Sequence, residues 1–284
     1  MEHCDILIIG AGAAGIAAAK SAWEAGCREV LLIDRKKKMG GVLLQCAHYG
    51  FGPNLNGPEY TEKLLTNFPE GVTFLPETTV LTVTDDKIAH LSGGRRVRFR
   101  QLILATGCRE IPIGALPIAG TRPRGVYTAG QMQEMMNLHG YLPEGPAVIL
   151  GSGDLGLVMA GQLARSGLGV TLVEQKATCG GMARNQRCLK EFSIKLCCNT
   201  TIAEVYGEKQ LEGVRTADGR FLPCKMLLIA AGLRPEREVV RSTGAPEWLT
   251  LCGNCSKVHP MVEAVVNEGR QAGISAWQKI CGKI

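Results

Sequence analysis

The chain has 284 residues, 45% hydrophobic and 20% charged, with 36 glycines and a formal net charge of +6. That length is generous for one domain and comfortable for two, and the composition excludes a disordered or fibrous chain. The densest basic runs, "RKKK" at 35–38 and "RRVRFR" at 95–100, are short, so they read as solvated basic faces and not as a nucleic-acid surface. No basic leader precedes the first apolar segment, and no apolar run approaches the roughly 20 residues that span a bilayer. A cytoplasmic protein is expected, without direct membrane insertion. In that setting the twelve cysteines read mostly as reduced thiols.

In chain order, residues 5–34 predict a buried strand, the turn Gly10-x-Gly12-x-x-Gly15, a helix of small residues, and a second strand ending at Asp34. Residues 147–174 repeat the plan with Gly151, Gly153, Gly156 and a terminal Glu174, 141 residues on at the glycines and 140 at the acids. The first glycine of such a loop makes the tight turn, the second admits a pyrophosphate, and the third lets helix pack on strand. The diphosphate rests on the helix N-terminus, where exposed N–H groups and the helix dipole favour negative charge, and the acid takes a ribose hydroxyl. One such loop is weak evidence, whereas two in matching context are strong.

The repeat continues. "DRKKKMGG" at 34–41 is echoed by "EQKATCGG" at 174–181, and "ETTVLTV" at 77–83 by "NTTIAEV" at 199–205. Each half then runs through a strand meander to a small-residue turn, "LILATG" at 102–107 and "LLIAAG" at 227–232. The expected fold is α/β: two Rossmann-like dinucleotide-binding domains, the second inserted into the first. The boundaries are placed at 1–115 with 246–284 for the first domain and 116–245 for the second. The proline- and glycine-rich stretch at about 109–125 reads as a linker, followed by a helix at 129–138 whose Met132, Met135 and Met136 read as core. After a strand in "WLTLCG" at 248–253, a final helix from about Pro260 to Trp277 is expected, with the proline in its first turn. This tail is expected to return to the first domain.

These motifs resemble the pyridine-nucleotide–disulfide oxidoreductase superfamily, the two-Rossmann flavoproteins, over nearly the whole chain. "GGVLLQCAHYGFG", "NGPEY", "ILGSGDLGLVMA" and "CGGMARNQRCLKEF" are similar to flavoprotein subunits that accompany anaerobic glycerol-3-phosphate dehydrogenases. "NEGRQAG" is similar to the small flavin subunits of sarcosine, opine and hydroxyproline dehydrogenases. The resemblance implies an FAD site at Gly10, Gly12, Ala13, Ala14, Gly15, Asp34, Arg35, Gly40, Gly41, Gln45, Val80, Ala105, Thr106, Gly107, Gly253 and Asn254. It implies an NAD(H) site at Gly151, Gly153, Asp154, Gly156, Glu174 and Gly232. A carboxylate at Glu174, followed by Gln175 and Lys176 and no arginine, favours NADH over NADPH because it binds a 2′-hydroxyl and repels a 2′-phosphate.

The same resemblance makes certain departures visible. The family usually ends its last FAD strand in Gly-Asp, where this chain has Gly253-Asn254, an amide that still hydrogen-bonds a hydroxyl. The chain reads as shortened after "LRPEREVV", without the large C-terminal dimerisation domain of the glutathione-reductase type and without an appended iron–sulfur module. Glutathione-type reductases carry two cysteines beside the flavin, and here Cys46 stands alone with His48 two residues on. "VYTAGQMQEMM" has no cysteine, where thioredoxin-type reductases place a Cys-x-x-Cys.

Cys46 and His48 are candidates for chemistry next to a flavin, His48 as a proton relay; the alternative is that they shape the pocket or a contact with a partner. The one Cys-x-x-Cys, Cys252 to Cys255, reads as a redox pair, half of a metal site, or packed thiols. Cys179, Cys188, Cys197 and Cys198 have gaps unlike a ligand run, so no metal site is expected.

The sequence therefore predicts an FAD-dependent, NADH-linked oxidoreductase without a redox disulfide, one electron-transfer subunit of a larger dehydrogenase. Its expected partners are an iron–sulfur protein and a substrate-oxidising flavoprotein subunit. The alternatives are a free-standing reductase of a small electron carrier and a non-catalytic FAD-binding scaffold.

Overall fold

Continuous apolar runs place the central strands where both faces are covered. β1 (Glu2–Ile9) begins exposed at Glu2 and is buried from Ile6 to Ile9. Its chain turns into α1 (Ala13–Glu24), built of small residues and buried along most of its length, then into β2 (Val30–Ile33), buried at every position. α2 (Gly57–Leu65) follows, started by Asn56 and Glu59, each of which bonds the other's backbone N–H, and by Pro58 in the first turn. Then come β3 (Thr73–Leu75), β4 (Val80–Val83), β5 (Ile88–Leu91) and β6 (Arg96–Leu104). β1 lies parallel between β2 and β6, and β3 extends the sheet beyond β2.

β6 changes character along its length. Its first half alternates, with Arg96, Arg98 and Arg100 exposed and Val97 and Phe99 buried, and there it pairs antiparallel with β5. Its second half, Leu102–Leu104, is apolar on both faces. The "RRVRFR" run is thus the solvated face of a meander strand.

The computed structural model describes residues 1–283 and divides them into two units, Met1–Arg109 with the segment after Leu233, and Glu110–Leu233. Ile284, the last residue of the expected tail, lies outside the described residues. The divisions fall earlier than residues 115 and 245. Residues 110–125 also do not form a linker, because they are built into the second unit's own sheet and core. β7 (Cys108–Glu110) carries the chain across the first division, and β8 (Ala119–Gly120) pairs parallel with a meander strand of the second unit. Beside β8, Ile118 is buried and Arg122 donates to its own segment's carbonyls.

The second unit continues with β9 (Val126–Thr128), α3 (Ala129–His139), β10 (Ala147–Leu150), α4 (Asp154–Arg165), β11 (Val170–Val173), α5 (Ala183–Glu191) and β12 (Lys195–Cys197). α3 starts on the Thr128 side chain, ends on left-handed Gly140, and buries Met132 completely, as a core residue should be. A meander, β13 (Ile202–Tyr206), β14 (Gly213–Thr216) and β15 (Phe221–Pro223), leads to β16 (Met226–Ile229). β12-β11-β10-β16-β9 is a parallel sheet, and β15-β14-β13-β8 packs its core against one face.

β17 (Leu233–Pro235) returns the chain to the first unit, where β18 (Leu249–Leu251) pairs parallel with the apolar half of β6. α6 (Val262–Ile280) then lies on α1. The helix starts two residues after Pro260, which therefore stands ahead of the first turn and not within it. A Cβ on Gly269 would fall 2.2 Å from Ala14 O and one on Gly273 2.2 Å from Ala18 O, so glycine allows the two helices to touch backbone to backbone. Ile6, Ile8, Leu32 and Ile103 face α1 and α6, whereas Leu7, Ile9, Leu31 and Leu104 face the meander side.

Candidate functional site

Both units present a glycine loop at the carboxyl end of a central parallel strand, β1 in the first and β10 in the second. In the first, Gly10 has φ +104°, and a Cβ there would lie 2.5 Å from Ala105 O. A Cβ on Gly15 would lie 1.8 Å from Gly10 O, so this glycine holds α1 against the loop. Gly12, immediately before α1, differs: its φ is −78°, and a Cβ there meets no atom within 4 Å. The helix N-terminus therefore faces open space at Gly12.

Asp34 follows β2 and is gripped through both oxygens. Ala11 N–H donates to Oδ2 and Lys36 N–H to Oδ1, each at 2.7 Å. The next segment closes on the loop from the other side, with Gly40 N–H donating to Ala11 O at 2.7 Å. A Cβ on Gly41 would lie 3.0 Å from Gly12 Cα. Ala105 borders Gly10 and Gly15, and Gly253 borders buried Ala14. Gly10, Gly12, Ala14, Gly15, Asp34, Gly40, Gly41, Ala105 and Gly253 are therefore brought together.

The remaining first-site candidates are spread around this centre. Ala13 is buried on α1 and Gln45 is buried in the turn after Gly41, while Arg35 is exposed beyond Asp34. Thr106 donates its hydroxyl to Glu236 O at 2.6 Å, and Gly107 O accepts from Glu236 N–H. Val80 pairs with Leu91 and packs on the core of the meander side, away from α1.

The second unit reproduces this geometry. Gly151 N–H donates to Val173 O as Gly10 N–H does to Ile33 O, both at 2.8 Å. A Cβ on Gly156 would fall 2.1 Å from Gly151 O, and one on Gly153 meets nothing within 4 Å. Glu174 takes Ser152 N–H on Oε2 and Lys176 N–H on Oε1, both at 2.9 Å. Burial raises the Glu174 carboxyl, but hydrogen bonds from Ser152 and Lys176 outweigh it, and the net shift is downward. Asp154 opens α4, with its Oδ1 accepting from Met182 N–H at 2.8 Å and Asn185 Nδ2 at 2.7 Å. Gly232 stands past β16 with its carbonyl accepting from Ile111 N–H.

Cys46 is buried, its thiol donates to Val42 O at 3.3 Å, and burial pushes it up to about 12. Burial thus disfavours the thiolate, the form that nucleophilic or charge-transfer chemistry uses. His48 is half-buried, its ring 5.2 Å from that of Phe51. Cys252 packs in the core under α1 and α6, and Cys255 in the core of the meander side, with its thiol donating to Leu104 O at 2.8 Å. The two belong to different cores. Burial raises both thiols, and no group of three or more His, Cys, Asp or Glu that could hold a metal ion occurs among the described residues. Cys179 and Cys188 donate to the carbonyls of Ser152 and Leu157, while Cys197 accepts from Arg220.

Sequence reasoning passed over Ser152, Glu268 and His259. Glu268 Oε2 accepts Gly253 N–H at 2.8 Å and its Oε1 lies 2.7 Å from His259 Nε2. His259 N–H donates to Asn254 Oδ1 at 2.9 Å, so the Gly253-Asn254 turn is tied to α6. The signal for Ser152 was available. It stands in the second loop where Ala11 stands in the first, a hydroxyl against a methyl.

Strand–glycine loop–helix units with a clamped acid define a Rossmann-type oxidoreductase class, and no helix among the described residues is long and apolar enough to cross a membrane. The chain belongs to the pyridine nucleotide-disulphide oxidoreductase family, whose model matches residues 4–247; the family is FAD- and NAD(P)H-dependent. It is 29% identical over 285 residues to an opine oxidase subunit of Agrobacterium tumefaciens (strain Ach5), covering 87% of this chain and 56% of that one. The alpha subunit of sarcosine oxidase from Corynebacterium sp. (strain P-1) is 29% identical over 204 residues, covering 64% of this chain and 20% of that one. The chain thus spans about half or less of the length of these two relatives. Among solved structures, T. acidophilum thioredoxin reductase superposes with TM-score 0.83 at 17% identity, covering 99% of this chain and 100% of that one, a likeness of α/β fold.

Proposed function

We propose that the chain is the flavin and nicotinamide electron-transfer subunit of a multisubunit dehydrogenase, with FAD in the first unit and NADH in the second. The observation that carries this reading is the doubled clamp. Each unit pairs a glycine loop open at its helix N-terminus with an acid whose two oxygens are fixed by backbone N–H groups. The residues fit the cofactors. The open space at Gly12 and Gly153 suits a diphosphate, and each clamped carboxylate retains lone pairs for ribose hydroxyls.

When bound, the two cofactors supply hydride exchange between nicotinamide and flavin. The chain's part is to bind and orient them. Asp34 with the loop Gly10–Gly15 holds the FAD adenosine and diphosphate, flanked by Gly40, Gly41, Ala105, Thr106, Gly107, Gly253 and Asn254. Gly151, Gly153 and Gly156 with Glu174 hold the NADH adenosine end, while Asp154 fixes the segment 182–185 beside them. No redox disulfide is needed, so electrons leave for a partner protein. The relatives named as oxidase subunits support a multisubunit setting.

Anaerobic titration of the purified chain with NADH, followed by flavin absorbance, tests the proposal. Bleaching without added protein, and no reduction of a dithiol substrate, is the expected result. Bound flavin that stays oxidised with NADH, alone and with copurifying protein, overturns it in favour of a scaffold.

A further inference from the structure

The second acid is held differently from the first in one respect. Asp34 has backbone donors alone from Ala11 and Lys36, whereas Glu174 also receives a hydroxyl: Ser152 Oγ donates to Oε2 at 2.6 Å. Ser152 is completely buried, and its Oγ accepts Gly180 N–H at 2.9 Å. The hydroxyl thus uses its proton on the acid and a lone pair on the segment that closes over the loop. Glu174 is one methylene longer than Asp34 and has one more torsion to fix. The backbone clamp that orients an aspartate leaves a glutamate freer to swing.

We infer that Ser152 is a positioning residue for nucleotide selectivity: its hydroxyl locks Glu174 where the carboxylate reads a ribose 2′-hydroxyl and repels a 2′-phosphate. The inference rests on the reading that a nicotinamide dinucleotide occupies the second unit. Two charged or titratable groups face Glu174, Lys176 on its own segment and Cys198 after β12. Neither supplies the donor that Ser152 does. Without the hydroxyl, Oε2 keeps one of its two bonds, the carboxylate is less favoured over the acid form, and Gly180 loses its acceptor.

The test uses the full chain and the variants Ser152→Ala and Ser152→Cys, the second being near in volume but only a weak donor. Calorimetric titration with NADH and NADPH reads selectivity, and the carboxyl carbon resonance of Glu174 in ligand-free protein reads its protonation. Both variants are expected to bind NADH roughly tenfold more weakly, as befits loss of a hydrogen bond to a charged group. NADPH binding is expected to hold or rise, so the preference narrows. The Glu174 resonance should titrate at higher pH than in the parent. Thermal melting checks that each variant is folded, and Ser152→Cys carries the test if Ser152→Ala is not. Variants with the parent's affinities, preference and Glu174 titration overturn the inference and leave the nucleotide assignment standing. A parent chain that binds neither NADH nor NADPH overturns both.

Discussion

Gly12 and Gly15 stand three residues apart, and a side chain would meet very different surroundings at each. A Cβ at Gly15 collides with Gly10 O at 1.8 Å inside the protein, whereas one at Gly12 enters open space and its backbone angles suit alanine. Gly15→Ala is therefore expected to cost about 3 kcal/mol of stability and to lose flavin as a consequence of misfolding. Gly12→Ala is expected to melt at the parent temperature yet purify without flavin, because the methyl enters the open space that the proposed function gives to the diphosphate. Thermal melts with flavin content separate the two. Equal melting losses for both would mean that the space at Gly12 is not a ligand's. Spacing made the glycines and acids legible from residue identity. What spacing could not convey is that Cys46 is buried, which disfavours its thiolate, or that Cys252 and Cys255 point into different cores, since both depend on how the chain packs in three dimensions.

At the scale of elements, α1 and α6 are joined by the glycines of the tail. Gly273→Ala would put a methyl 2.2 Å from Ala18 O and Ser21 Oγ, deep between the helices. It is expected to destabilise the first unit by about 2 kcal/mol and to lower its melting temperature by several degrees. An unchanged melt would mean that the helices can slide apart without loss. The helix itself was expected from about Pro260 to Trp277, but its start was misplaced: Pro260 resembles a first-turn proline, and the helix waits until Val262. β6 was readable in halves, since the alternating "RVRFR" and the continuous "LIL" follow the two kinds of neighbour that each half has. The stretch 109–125 misled because proline and glycine mark turns whether the chain is free or packed. Here Ile118 and β8 bind it into a sheet.

For the whole molecule, the second unit is one uninterrupted length of chain, Glu110–Leu233, with its own parallel sheet, meander and buried cores. That fragment, expressed alone, is expected to unfold in a single cooperative transition and to bind NADH with affinity within a few-fold of the full chain. Circular dichroism and calorimetry check this, and a fragment without a cooperative melt would mean that the unit depends on the rest of the chain. The doubling that announced two units was visible because the repeat keeps its spacing over 141 residues.

That doubling hides an asymmetry of inheritance. In the first loop, the glycine segment is fastened by Gly40 N–H to a main-chain carbonyl, that of Ala11. In the second, the corresponding fastening from Gly180 N–H ends on a side chain, that of Ser152. A main-chain acceptor has no side-chain group to lose, so no change of residue type at position 11 deletes the acceptor itself. The second can be deleted or retuned by a change at one codon, which makes that loop the more evolvable of the two copies.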